Sequence, residues 1–133
     1  MKIREIEGIG PVYAAKLEES GITTTEGLLK AAGHKAGRAA LAAETGIQEA
    51  MLLDWVNRAD LMRIKGVGGE YSDLLEAAGV DTVKELAQRN PENLHAALLA
   101  TNTAKNLVRR VPSLKDVQDW VAMAKTLDAA VSH

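Results

Sequence analysis

The chain has 133 residues, a formal net charge of −2 and no cysteine, which excludes disulfides and thiolate metal sites and argues against a dedicated, strongly basic nucleic-acid binder. Apolar residues make up 47% of the chain but aromatics only 3%, so Leu, Val, Ile, Met and Ala must fill the interior. No apolar run approaches the ~20 residues a membrane helix needs, and residues 1–7 lack the apolar core of a signal peptide; a cytoplasmic protein with no membrane partner is expected.

Helical signals run through almost the whole chain. Residues 2–7 suffice for one turn. Gly8-Ile9-Gly10 makes a tight turn, with glycines where φ must go positive or where backbones approach closely. Pro11 then stands at a good first helical position, for a helix to about residue 20 closed by Gly21. Thr23 to Glu26 has a capping-box pattern that starts another helix, and Gly33 breaks it. Residues 34–44 form an Ala-rich helix. Thr45 is placed to cap a long helix over 48–62, in which Met51, Trp55, Ala59 and Met62 fall at helical spacing.

A second glycine turn follows at Gly66-Val67-Gly68-Gly69, then a helix to about residue 78 closed by Gly79. Thr82 to Glu85 caps a helix to about residue 89. Asn90-Pro91 opens another to about 101, and a short helix is expected over 102–110, stopped by Pro112. Ser113 to Asp116 caps the last helix. There Leu114, Val117, Val121, Ala124, Leu127 and Val131 draw one apolar stripe.

The two glycine turns belong to an internal repeat. Ile6, Gly8, Gly10, Tyr13, Leu17 and Gly21 recur as Ile64, Gly66, Gly68, Tyr71, Leu75 and Gly79, at a constant offset of 58 residues. Asp54-Trp55-Val56 recurs as Asp119-Trp120-Val121 at an offset of 65, so the second copy holds seven extra residues, assigned to 102–113. Tyr13, Trp55, Tyr71 and Trp120 occupy matched positions. They are read as core anchors of two equivalent units, with paired base-stacking platforms as the alternative. The fold expected is all-α: two pseudo-repeated units, 1–62 and 63–133, with extra helices packed into one body.

A glycine turn leading into a helix offers outward N–H groups and the positive end of a helix dipole, enough to hold a phosphate. Gly8-Ile9-Gly10-Pro11, Ala14 and Leu17 resemble the helix-hairpin-helix motif of many DNA-binding and DNA-repair proteins. That resemblance implies paired motifs gripping the backbones of both strands. DNA-binding members commonly carry a cation two residues after the second glycine. Here that position is Val12 in the first copy and Glu70 in the second, and Ala14 becomes Ser72. At full length the chain resembles a bacterial family of small tandem helix-hairpin-helix proteins described as a domain of unknown function. The stretches 58–68, 74–86 and 107–112 carry this likeness. It implies the fold and no activity.

Two functions stay open. The first is a non-enzymatic protein-interaction or scaffolding adaptor with an unknown protein partner. The second is sequence-independent nucleic-acid binding, in which Gly8, Ile9 and Gly10 hold a phosphate supported by Lys16, Lys35, Arg38, Lys105, Arg109 and Arg110. The second turn, with Glu70 at its mouth, is the poorer phosphate site. No enzyme, cofactor or metal is expected. Glu92 and His95 have half of a di-metal pattern, but the rest of such a set is missing, and no strand precedes either glycine turn as a dinucleotide fingerprint requires.

Overall fold

A computed structural model describes residues 1–133, and its regular structure is helical throughout. A 3₁₀ turn at Ile3–Glu5 precedes α1 (Pro11–Glu19), α2 (Thr25–Ala32), α3 (Lys35–Thr45) and α4 (Glu49–Leu61). Then come α5 (Gly69–Ala77), α6 (Val83–Ala87), α7 (Pro91–Lys105) and α8 (Leu114–Ala124). No helix is long and apolar enough to cross a membrane. The chain divides into two units, Met1–Asp60 with Ala130–His133, and Leu61–Ala129.

In the first unit the chain enters through main-chain bonds: Ile3 N–H donates to Thr23 O and Thr25 N–H to Met1 O. These tie the 3₁₀ turn to the start of α2. Thr24, not Thr23, caps α2, accepting from Gly27 N–H at 3.0 Å. α2 packs on α3. Thr45 does not cap α4 as its sequence position suggests. It is the last residue of α3, its hydroxyl donating back to Leu41 O and accepting from Ile47 N–H. Gly46, at φ 76°, ends α3, because a left-handed residue there costs glycine nothing. In α4, Trp55, Val56, Ala59 and Met62 just beyond it are buried, while Met51 is only half-buried.

In the second unit α8 packs on α6 and α7, and α5 on α7. Leu74, Leu75, Leu86, Leu94, Leu98, Val117 and Trp120 lie in one buried cluster. Thr82 caps α6, accepting from Glu85 N–H, and Asn90 caps α7, accepting from Asn93 N–H at 2.9 Å. Ser113 and Asp116 close a reciprocal capping box at the head of α8. Leu127 and Val131 fall beyond the end of α8 and so do not extend its stripe.

The helix expected over 102–110 does not form. α7 runs on to Lys105 and stops at Asn106, the chain's one non-glycine residue of positive φ, at 51°. Asparagine tolerates that conformation. Residues 106–113 then run without helix. The Asn102 amide holds Val108 from both sides, accepting from its N–H at 2.9 Å and donating to its carbonyl at 3.1 Å. The extra length of the second copy is therefore spread more widely than 102–113. α7 has 15 residues against 11 in α3, and the stretch from the left-handed cap to the matched tryptophan spans 106–120 rather than 46–55.

Candidate functional site

The two glycine turns have the same internal construction. Gly8 has φ 96° and Gly66 φ 93°. Ile6 N–H donates to Ile3 O and Ile9 N–H to Ile6 O; Ile64 N–H donates to Leu61 O and Val67 N–H to Ile64 O. Ala14 and Ser72 both donate to the carbonyl of the second glycine, Gly10 or Gly68, at 2.9 Å. Ser72 is buried like Ala14, and its hydroxyl finds Gly69 O at 3.0 Å. Tyr13 meets Trp55 edge-on with ring centroids 5.2 Å apart, and Tyr71 meets Trp120 at the same 5.2 Å.

Positive φ belongs only to the first glycine of each turn. Gly10 and Gly68 are extended N-caps at φ −83° and −103°. Ile9 buries its side chain as an anchor and offers only main chain to the surface. At the head of α1, Pro11 has no N–H, and the first closing bond is made by Ala14. The N–H groups of Val12 and Tyr13 therefore point out of the helix end.

The three first-unit cations have different surroundings. Lys16 lines a cleft of about 360 Å³ with Glu19, Ser20, Glu44 and Thr45, towards the far ends of α1 and α3. Lys35 is exposed in the first turn of α3. Arg38 is not a surface cation: it is 4% exposed, and its guanidinium donates to the carbonyls of Ala32, Gly33 and Ser132. Bound in this way, it is withdrawn from any phosphate on the surface.

Lys105, Arg109 and Arg110 belong to the second unit. Lys105 is exposed in the last turn of α7. Arg109 lies 4.0 Å from Glu70, at the second turn, with both side chains open to water. The pair adds little stability, but it offsets the carboxylate that made this turn look unsuited to anions. Tyr71 fixes the neighbouring residue, its hydroxyl donating to Arg110 O at 2.9 Å. His95 Nε2 meets Pro112 O at 3.1 Å, so the ring serves the loop.

Beside the second turn, a half-open cleft of about 530 Å³ is lined by Lys65, Gly66, Arg110, Asp116, Asp119 and Trp120, among others. Its acids are already engaged. The Ser113 main-chain N–H, then its hydroxyl, hold the Asp116 carboxyl below the usual aspartate range, and Arg110 and Lys115 add to this. Asp119 accepts from Lys115 at 2.7 Å, which pushes the lysine up. Lys65 donates through its main chain to Met123 Sδ at 3.3 Å and leaves its ammonium at the surface.

The residues that sequence reasoning missed are Tyr71, His95 and Asn102, which place the arginine-bearing loop. Only Asn106 signals the loop in sequence, as a residue suited to a left-handed helix end. Neither a curated protein nor a solved structure matches the chain. A family signature does match, over residues 7–127, which takes in both glycine turns and the loop between α7 and α8; the chain belongs to the family described as Domain of unknown function (DUF4332).

Proposed function

We propose that the protein is a non-enzymatic binding module of the cytoplasm, built on two helix-hairpin-helix units and working as a protein-interaction or scaffolding adaptor. The observation that carries this reading is Val12. Where DNA-binding hairpins commonly hold a cation, this chain presents a valine that is 68% exposed, the most exposed of its large apolar side chains. An apolar group beside outward N–H donors suits a partner's apolar side chain and carbonyl oxygens better than a phosphate. The test is affinity capture from cell extract with wild type and Val12→Asp, with and without nuclease. A protein retained by wild type after nuclease, and lost from the variant, is the expected result. Reproducible capture of nucleic acid alone would sink the reading.

A second reading, sequence-independent binding to a nucleic-acid backbone, is favoured by one observation. Arg109 stands beside Glu70, which supplies from the loop the cation that the second hairpin lacks in its own sequence. The version centred on Gly8, Ile9 and Gly10 loses Arg38 as a supporting charge. Titration of duplex and single-stranded DNA over a salt series distinguishes the two functions. Phosphate contacts predict an affinity that falls steeply with salt and drops again in Arg109→Ala. Absence of binding at about 50 mM salt, where such contacts are strong, removes this second reading.

A further inference from the structure

The half-open cleft of about 530 Å³ beside the second turn has the size of a small-molecule site, about 300–1,000 Å³. Trp120 lines it and is 4% exposed. Its indole N–H donates no hydrogen bond, whereas a buried tryptophan N–H usually finds a partner. The nitrogen lies 3.3 Å from the point a β-carbon on Gly66 would occupy, and Gly66 lines the same cleft. That nitrogen is not sealed from water, so a free donor on a buried side chain opens on the cleft.

Two cations join this donor. Lys65 and Arg110 both line the cleft, both are exposed, and neither side chain is held in a salt bridge. Arg110 is placed by its own carbonyl, which accepts from Tyr71. The acids of the cleft are engaged, Asp116 by Ser113 N–H and Asp119 by Lys115. The groups left free are therefore donors: an indole N–H, an ammonium and a guanidinium. The first unit shares the glycine, the tyrosine and the tryptophan but not this set. At the repeat offsets Glu7 stands for Lys65 and Arg58 for Met123, and Arg110 falls in the loop that only the second copy has.

We propose that this cleft binds a small organic carboxylate with a flat apolar body, its carboxylate taking the Trp120 N–H, Lys65 and Arg110. The body rests on Tyr71 and Met123, which are half-buried and line the same cleft. A thioether is a favourable neighbour for an aromatic ring. Lys65 and Arg110 together balance Asp116 and Asp119, so one negative charge is accommodated, while a dianion meets stronger repulsion from both acids. The cleft does not include Val12, so this site is independent of the adaptor reading.

The test uses the full chain, isotopically labelled for NMR. Its two tryptophans give two indole N–H signals, and that of Trp55 is the internal control. Phenylacetate is titrated at constant ionic strength, so that screening does not change. The Trp120 signal should move saturably while that of Trp55 stays. Phenylacetamide, which keeps the ring and loses the charge, should bind at least about tenfold more weakly, and so should inorganic phosphate. Lys65→Gln and Arg110→Gln, both at exposed positions, should each weaken phenylacetate about threefold or more. A Trp120 signal that does not move, or that moves equally with phenylacetamide, overturns the proposal. Binding unchanged in both variants overturns it too. Phosphate binding as tightly as phenylacetate would overturn the carboxylate as the charged group of the ligand.

Discussion

The indole nitrogen of Trp55 lies 3.3 Å from the point a β-carbon on Gly8 would occupy. Gly8 also has φ 96°, a conformation that side chains resist. Gly10 is extended and has open space where its β-carbon would stand. Gly8→Ala should therefore cost about 1–3 kcal/mol, and Gly10→Ala should stay within about 0.5 kcal/mol of wild type. Urea midpoints of the two variants check this. Equal losses would show that the second glycine carries a constraint of its own.

Trp55 and Trp120 are 2% and 4% exposed, and each also packs against a tyrosine ring, edge-on at Tyr13 and tilted at Tyr71. Truncating either to alanine should cost about 3–5 kcal/mol. A double-mutant cycle of Trp55 with Tyr13, using Tyr13→Leu, should return a coupling of about 0.5–1.5 kcal/mol. A loss below ~1 kcal/mol at either tryptophan would contradict its role as an anchor and revive the stacking-platform alternative.

Asn102→Ala removes both bonds to Val108 and should cost about 1–3 kcal/mol, since Val108 is buried and its polar groups lose their partner. Hydrogen exchange should rise at the Val108 N–H first. An unchanged rate there would show that the loop is held without the clamp.

Asp116 titrates below the usual aspartate range because Ser113 hydrogen-bonds its ionised form. A depressed folded value means its stabilising effect is present above the unfolded pKa, about 3.9, and is lost as pH falls through the folded value. Asp116→Asn should be less stable than wild type at neutral pH, and the gap should narrow below about pH 4. Ser113→Ala should cost about 1 kcal/mol at neutral pH as a lost cap. Denaturation between pH 2 and 7, an interval that spans the carboxylate range, reads both effects. A gap that stays constant would separate Asp116 from the acid limb.

What the sequence made legible was what repeats. The turns at Gly8 and Gly66, the buried tryptophans and the caps at Thr82, Asn90 and Ser113 rest on local chemistry that is written next to them in the chain. The loop after α7 was misread as helix because its order comes from groups far along the chain. Tyr71 reaches Arg110 and His95 reaches Pro112, and no periodicity reports such bonds. Arg38 was misread for the opposite reason. Counted as charge it belongs on a surface, but the carbonyls that bury it include one 94 residues away. In the same way, Glu70 alone argued against an anion at the second turn, and only the fold brings Arg109 to it.

The loop between α7 and α8 is pinned at Val108, Arg110 and Pro112 by side chains rooted in α5 and α7. Its two arginines therefore hang from a rail fixed to those helices, with both side chains open to water and Arg109 beside Glu70. Such a bracket sets where the chain carries this positive charge: the position of Arg109 and Arg110 is decided by Tyr71, His95 and Asn102, three neutral side chains that come from elsewhere in the sequence.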